Sequence, residues 1–365
     1  MKKIHFAGPL IDRKDVDIVK LSVKNGFYDN YKKYINIFSE DIKSYFNVKY
    51  ALPTFTCTHA MHLAAISLDL KKNDEIICPD ISWVATAHAL AHHNLNIKFC
   101  DINIDTLCIC IKSLKKNITK KTKAIMVVHA FGHPANMKEI MKIAKEYNLY
   151  VIEDAAPSFG SHINNKMTGT FGDVGCFSFQ GAKIITTNEG GVLITKKRSL
   201  YDKARLNSIL GRTDSKMMFW SDFVGYRYGM SNLNASLGIS QLKKINKIIK
   251  IKRKIFSMYE NILTKNRNIK FIKEPEYGFS NCAYPNILIK NGNRKIRDKI
   301  IKELEKNNIA SRAMFPQISS MKMYKHNKFN LNSIIASNTG ITLPSPYYLN
   351  DKDINRICKV LNKNL

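Results

Sequence analysis

The sequence predicts an α/β fold: a mixed, mostly parallel sheet in a large N-terminal domain, followed by a smaller C-terminal α+β domain. Three observations predict it. Short apolar runs alternate with segments of helical rhythm from about residue 51 onward. Ala124 to Ile152 reads as one strand–helix–strand unit. Beyond about residue 240 a long amphipathic helix leads into a short strand and two more helices. The chain has 365 residues, 45% of them hydrophobic, which is enough for two packed units. We expect the larger one over residues 1–240, including an N-terminal helical segment. Residues 241–365 are expected to hold the linking helix and the smaller domain.

The elements follow in order. Residues 1–50 are predicted mostly helical, with Ile35, Phe38, Ile42 and Phe46 on one face. A helix follows Thr58, carrying Met61, Leu63, Ala64, Ala65 and Leu68. Glu75–Cys78 is predicted as a strand, then a helix after Trp83, then a strand at Ile97–Asp101. Ala124–His129 is a continuous apolar run suited to a buried strand. Asn136–Tyr147 places Met137, Ile140, Met141 and Ala144 on one helical face, and Leu149–Ile152 is again a buried strand. Such a unit is right-handed and implies parallel strands. Val174–Phe179 and Val192–Thr195 read as strands around a Gly-rich turn. Later elements are a strand near Ala283–Ile289 and helices near Asn293–Asn307 and Asp351–Asn362.

The formal net charge is +29. A nucleic-acid or membrane partner is one reading of such a field. However, the basic residues are spread along the chain. The densest stretch, Lys243 to Lys254, interleaves Leu242, Ile245, Ile248, Ile249 and Ile255 and reads as a helix with a solvated lysine face. A compositional bias is the preferred reading, with no nucleic acid and no membrane partner expected. A phosphorylated substrate would still be drawn to this charge. No run of about 18 apolar residues is present. The N-terminus reaches Gly8-Pro9 too soon for a signal-peptide core, so a cytoplasmic protein is expected. The eight cysteines form no Cys-x-x-Cys pair and are expected to be reduced and mostly buried, with no metal site.

Ligands of open α/β sheets bind at the carboxyl ends of the strands. Three features fall there. Thr56-Cys57-Thr58-His59-Ala60 sits at a strand-to-helix junction, where free N–H groups and the helix dipole suit a phosphate. An ordinary Thr cap is the plainer explanation of the same residues. Glu153-Asp154 follows a buried strand, where a carboxylate suits a metal, a ribose hydroxyl, a protonated ring nitrogen or a plain cap. Phe177-Ser178-Phe179-Gln180-Gly181-Ala182-Lys183 puts a lysine in the sheet-edge cleft. A desolvated lysine there can form a Schiff base, whereas a surface lysine is the ordinary fate in so basic a chain. Taken in order, a phosphate cup, an aromatic (Trp83), an Asp at a strand end, a Ser and a Lys are the parts of a pyridoxal phosphate (PLP) site.

The chain resembles the DegT/DnrJ/EryC1/StrS family of sugar aminotransferases over nearly its whole length. Thr56 to Ala64, Asp74 to Pro79, Ser82 to Thr86, Val128 to Gly132, Val151 to Ala156, Gly172 to Phe179 and Glu189 to Gly191 each resemble a family motif. Asn308 to Pro316 and Gly340 to Ser345 resemble its C-terminal segments, the first of which lines the nucleotide-sugar site. The resemblance implies the type I (aspartate aminotransferase-like) PLP-dependent transferase fold and PLP as cofactor. It implies Lys183 as the lysine that bonds the cofactor and moves the proton, and Asp154 as the partner of the pyridine nitrogen. Ser178, Thr58 and the His59 N–H would hold the phosphate, with Trp83 and Ala156 covering the two ring faces and Arg312 lining the substrate site. A homodimer with sites at the subunit interface is implied too. Members that aminate C4 of nucleotide-linked 4-keto-6-deoxy sugars, with L-glutamate as donor, are the most similar in these motifs and in the turn Thr186 to Gly191.

Four positions depart from the family, one of them Gly229, which replaces an Arg. Pro157 replaces a side-chain donor near the cofactor's phenolic oxygen. Ala182 replaces a common Asn beside the lysine. Arg227 stands where many relatives have an Asn that reaches the partner's cofactor phosphate. The alternatives are amination at C3, a keto substrate without a nucleotide, and a non-catalytic or nucleic-acid-binding role. A dehydratase branch that replaces the lysine with His is disfavoured by Lys183.

Overall fold

The computed structural model describes residues 2–213, 217–324 and 327–365. Seven strands build the main sheet: β1 (Tyr50–Thr54), β2 (Glu75–Pro79), β3 (Asn96–Cys100), β4 (Thr122–Val128), β5 (Tyr150–Asp154), β8 (Val174–Ser178) and β9 (Gly191–Thr195). A small hairpin, β6 (His162–Ile163) and β7 (Lys166–Met167), lies between β5 and β8. The strand order is β1-β9-β8-β5-β4-β2-β3, and only β9 runs against its neighbours. The expected mixed, mostly parallel sheet is therefore present.

Period-two alternation divides each strand between two cores. Ala124 and Met126 of β4 face one core, and Ile125 and Val127 face the other. Helix α3 (Cys57–Ser67) fills the first core and is buried on nearly every side, as its run of Ala, Met and Leu allows. Helices α1 (Arg13–Asn25) and α2 (Lys33–Phe46) precede it, and α4 (Ala85–Ala91) and α5 (Ile111–Asn117) follow. Helix α6 (Met137–Glu146) covers the second core through Met137, Ile140, Ile143 and Ala144. Ile143 takes the fully buried place expected of Met141, because it completes the i, i+3, i+4 stripe with Ile140 and Ala144. On α2 the buried stripe is Tyr34, Phe38, Ile42 and Phe46, so Tyr34 replaces the expected Ile35 by the same spacing. Full burial of each such side chain contributes about 1.5–3 kcal/mol.

Helices α7 (Arg198–Ser208), α8 (Asn232–Leu242) and α9 (Ile245–Leu263) lead to a second, antiparallel sheet. Its strands β10 (Ile269–Phe271), β11 (Asn286–Ile289), β12 (Arg312–Ala313) and β13 (Gly340–Thr342) pair in the order β10-β11-β13-β12. Helices α10 (Arg294–Lys306), α11 (Leu331–Thr339) and α12 (Asp351–Lys363) complete the chain. No described helix is long and apolar enough to cross a membrane.

The expected lysine face of α9 is not wholly solvated. Lys252 is 5% exposed and donates to the Ser345 backbone oxygen and, at 3.3 Å, to Ser345 Oγ. Burial pulls its ammonium down to about 8 from an ordinary 10.5. The folded chain thus releases this proton near pH 8, whereas the unfolded chain holds it to roughly pH 10.4. Between the two values the unfolded state binds more protons, so stability rises with pH. Lys252→Met lacks this contribution. Urea unfolding from about pH 7.5 to about pH 9.5 should show the wild type gaining on the variant, by at most about 1.4 kcal/mol per pH unit. Parallel stability curves would contradict this reading.

Candidate active site

The sheet polarity brings five chain segments to one edge. The carboxyl ends of β1, β2, β5 and β8 lie there with the start of β9. Gly191 pairs with Thr54 on one side and Ser178 on the other. A Cβ on Gly191 would lie 2.5 Å from the Cys57 nitrogen, so only glycine lets β9 pass this close to the start of α3.

Helix α3 begins at Cys57, one residue before Thr58, with Thr56 as its N-cap. The Thr56 hydroxyl accepts from the His59 N–H at 3.2 Å. His59 N–H is therefore already engaged, and among the described residues the N–H groups of Cys57 and Thr58 are those left open at the helix start. Ser178, at the end of β8, is buried and its Oγ accepts from Gln180 N–H at 3.4 Å.

Glu153 and Asp154 are neighbours with opposite fates, because successive strand residues face opposite sides. Glu153 is fully buried and accepts from His129 Nε2 (2.9 Å) and from the N–H groups of Gly169 (2.8 Å), Phe171 (2.7 Å) and Gly172 (2.6 Å). His129 Nδ1 accepts from Ala135 N–H, so Nε2 carries the hydrogen and donates to Glu153. Asp154 faces the sheet-edge site instead. Its Oδ1 accepts from Ala156 N–H at 3.1 Å and its Oδ2 from Thr86 Oγ1 at 2.7 Å. A carboxylate only accepts, so the single Thr86 hydrogen goes to Asp154. Ser82 Oγ, 2.8 Å from Thr86 Oγ1, then donates to Thr86.

Lys183 lies on the loop after β8, half-buried as a residue but with its amine end enclosed. Among the described residues it has no ion pair within 4.0 Å. Desolvation drives its pKa below the ordinary value, and the charges of Asp154 and Cys57 oppose that shift. Burial also pushes the Cys57 thiol well up, with Asp154 adding to the shift. The charges of Asp154 and Cys57 thus act on Lys183 at the sheet edge where Asp154 ends β5 and Cys57 begins α3. Asn234 fixes the turn behind the lysine by donating to the backbone oxygens of Thr187 (2.6 Å) and Glu189 (2.7 Å).

The other predicted residues lie around this centre. Trp83 is 61% exposed, with its ring 6.0 Å from that of Phe315. Ala156 is half-buried beside Asp154. Arg227 is exposed in the segment that runs along α3, where Tyr228 stacks on His59 at 3.9 Å. Arg312 is exposed on β12. Thr86, Ser82 and Asn234 were not singled out as site residues by sequence. Ser82 and Thr86 bound the motif-like segment Ser82 to Thr86, of which only Trp83 was given a role.

The family model for DegT/DnrJ/EryC1/StrS aminotransferases matches residues 9–362. The chain belongs to that family. GDP-perosamine synthase of Escherichia coli O157:H7 is 32% identical over 365 residues, covering 100% of this chain and 99% of that one. GDP-perosamine synthase of Vibrio cholerae is 32% identical over 357 residues, covering 97% and 96%. A putative sugar aminotransferase from Streptococcus pneumoniae, solved in its PMP form, superposes with a TM-score of 0.92 at 22% identity, covering 100% and 98%. The type I PLP-dependent transferase fold follows, and the protein is a PLP-dependent aminotransferase.

The residues of this aminotransferase fit that cofactor. Open N–H groups at the start of α3 suit a phosphate. Lys183 is an amine held toward its neutral, nucleophilic form. Asp154 is a buried carboxylate with acceptor capacity left after two hydrogen bonds. Thr86→Val keeps the shape of the side chain but removes the hydrogen that holds Asp154 Oδ2. Cofactor binding to the apoprotein, followed by fluorescence titration, should weaken roughly tenfold or more, and Thr86→Ser should restore it. Unchanged binding in Thr86→Val would remove Thr86 from the site.

Proposed function

We propose that the enzyme transfers an amino group from L-glutamate to the C4 keto carbon of a nucleotide-linked 4-keto-6-deoxyhexose, on dTDP or GDP. The chemistry rests on the enclosed Lys183 beside Asp154. The substrate rests on the full-length similarity to two GDP-perosamine synthases. A dehydratase of the kind that replaces this lysine with His is disfavoured by Lys183.

Bound PLP supplies an aldehyde and an electron-withdrawing ring. Lys183 would hold that aldehyde through its amine, and the same amine would be the group that moves a proton there. Asp154 holds the ring nitrogen protonated, and Thr86 and Ala156 fix its two oxygens. Ser178, Thr58 and the N–H groups of Cys57 and Thr58 hold the phosphate. The His59 N–H, first expected in that role, remains with its Thr56 cap. Trp83 and Ala156 would cover the cofactor and limit water, and Arg312 would contact the substrate.

The working form is a cytoplasmic homodimer, with residues 1–240 and 241–365 as its large and small domains. Phe219 (79% exposed), Val224 (96%) and Tyr28 (95%) are large apolar side chains left exposed in the single chain, as residues covered by a second copy would be. Arg227 reaches the partner's phosphate there, adding a charge at the place of the family's Asn.

The test is absorbance of the purified holoenzyme before and after glutamate. Turnover of 4-keto-6-deoxy sugars on GDP, dTDP and UDP then follows, with the product assigned by NMR. An amine at C4 is expected. An amine at C3, or no acceptance of any nucleotide sugar, would overturn the substrate; failure to take up PLP would overturn the chemistry.

A further inference from the structure

The N-terminal segment ends its run across the protein beside the lysine site. Ile4 is bonded on both sides: its N–H donates to the Asn308 oxygen at 2.8 Å, and its oxygen accepts from Ala310 N–H at 3.0 Å. Two residues on, the Phe6 oxygen accepts from Ser345 N–H at 2.9 Å, and between them His5 N–H donates to Tyr348 Oη at 3.0 Å. The Phe6 ring is thereby tethered through its own backbone. Its face carries the Arg312 guanidinium, whose carbon lies 4.2 Å from the ring centroid. The Phe6 ring also lies nearly parallel to that of Tyr284, with centroids 6.5 Å apart. Tyr284 donates from its hydroxyl to the Ala182 oxygen at 2.6 Å, next to Lys183.

The segment that carries Arg312 borders the site on its other side as well. Phe315 stacks on Phe131 with centroids 5.3 Å apart and lies 6.0 Å from Trp83. Arg312 is exposed and, among the described residues, has neither a carboxylate within 4.0 Å nor a hydrogen-bond partner. A guanidinium stacked on an aromatic face keeps its planar set of N–H donors free at its edge. Such a fork matches the paired oxygens of a carboxylate or phosphate. An unrestrained arginine would instead have to be ordered when the anion arrives.

We propose that Phe6 is a positioning residue, which holds the Arg312 guanidinium at the mouth of the lysine site to take an oxyanion of the substrate. The inference rests on the reading of Arg312 as a substrate contact. The anion is either the diphosphate of the keto sugar or a carboxylate of the amino donor.

The test uses the holoenzyme, with the two half-reactions measured separately in wild type, Phe6→Leu, Phe6→Tyr, Arg312→Gln and the Phe6→Leu/Arg312→Gln double variant. GDP, dTDP and UDP binding is measured by calorimetry on the same proteins. In Phe6→Leu the half-saturating concentration of one anionic substrate should rise roughly three- to thirtyfold, while the rate at saturation stays within about twofold. Phe6→Tyr should restore it, and Phe6→Leu should add nothing to Arg312→Gln. A rise for the nucleoside diphosphates and keto sugar identifies the diphosphate; a rise for glutamate identifies the carboxylate. No rise for any of them, a full effect in Phe6→Tyr, or a full added effect on the Arg312→Gln background would overturn the proposal. Glutamate and nucleoside diphosphates still report on Phe6 if no keto sugar is accepted, so this outcome is separable from failure of the substrate assignment.

Discussion

Lys183→Ala is expected to slow amino transfer by at least about 10⁴-fold, because it removes both the nucleophile and the group that moves the proton. The fold should survive. The amine end is enclosed and, among the described residues, makes no ion pair, so its removal relieves a desolvation penalty. Single-turnover measurements with glutamate, alongside thermal unfolding, check both halves. Added methylamine should recover part of the rate by supplying a diffusible base. A variant within tenfold of wild type would exclude Lys183 from the chemistry. The pH dependence carries a sign as well. Desolvation lowers the lysine pKa, so the neutral amine is populated below the ordinary value of 10.5. Capture of PLP by the apoprotein should therefore speed up with rising pH and level off below pH 10.5.

Asp154→Asn is expected to lower kcat by about 10²- to 10³-fold at saturating cofactor. The amide keeps the shape and still accepts from Thr86 or Ala156, but it carries no charge to hold the ring nitrogen protonated. Stability should change little, since the buried charge and its cost of burial leave together. A second effect separates this from general damage. The Asp154 charge raises the Lys183 pKa, so its loss should move the pH profile of PLP capture to lower pH. An Asn variant with wild-type kcat and an unmoved profile would show that Asp154 has no electrostatic part in the reaction.

Much of the site was legible in sequence because its parts lie at strand ends, and strand ends are marked locally. Asp154, Ser178 and Lys183 each follow a short apolar run, and their order along the chain is the order of the parts. The helix cap was less legible. Thr56 and Thr58 both satisfy the cap preference, and the choice fell to Thr56, where Gly191 packs against the first turn. Lys252 was misread for another reason. Its spacing from Ile248, Ile249, Ile255 and Phe256 already placed it on the buried stripe, but residue type was given more weight than period.

By itself the sequence determined the α/β class, the parallel unit from Ala124 to Ile152 and the residues at the strand ends. These depend on periods of 3.6 and 2, which a few neighbouring residues set. Only the tertiary structure decided which of those residues act together. Thr86 meets Asp154 across 68 positions and Tyr284 meets Ala182 across 102. Phe6 meets Arg312 from opposite ends of the chain. It also decided that Glu153 is consumed by the 169–172 loop while Asp154 stays open. Such pairings depend on how the sheet orders its strands and where the N-terminal segment crosses the C-terminal sheet, and no local pattern records either.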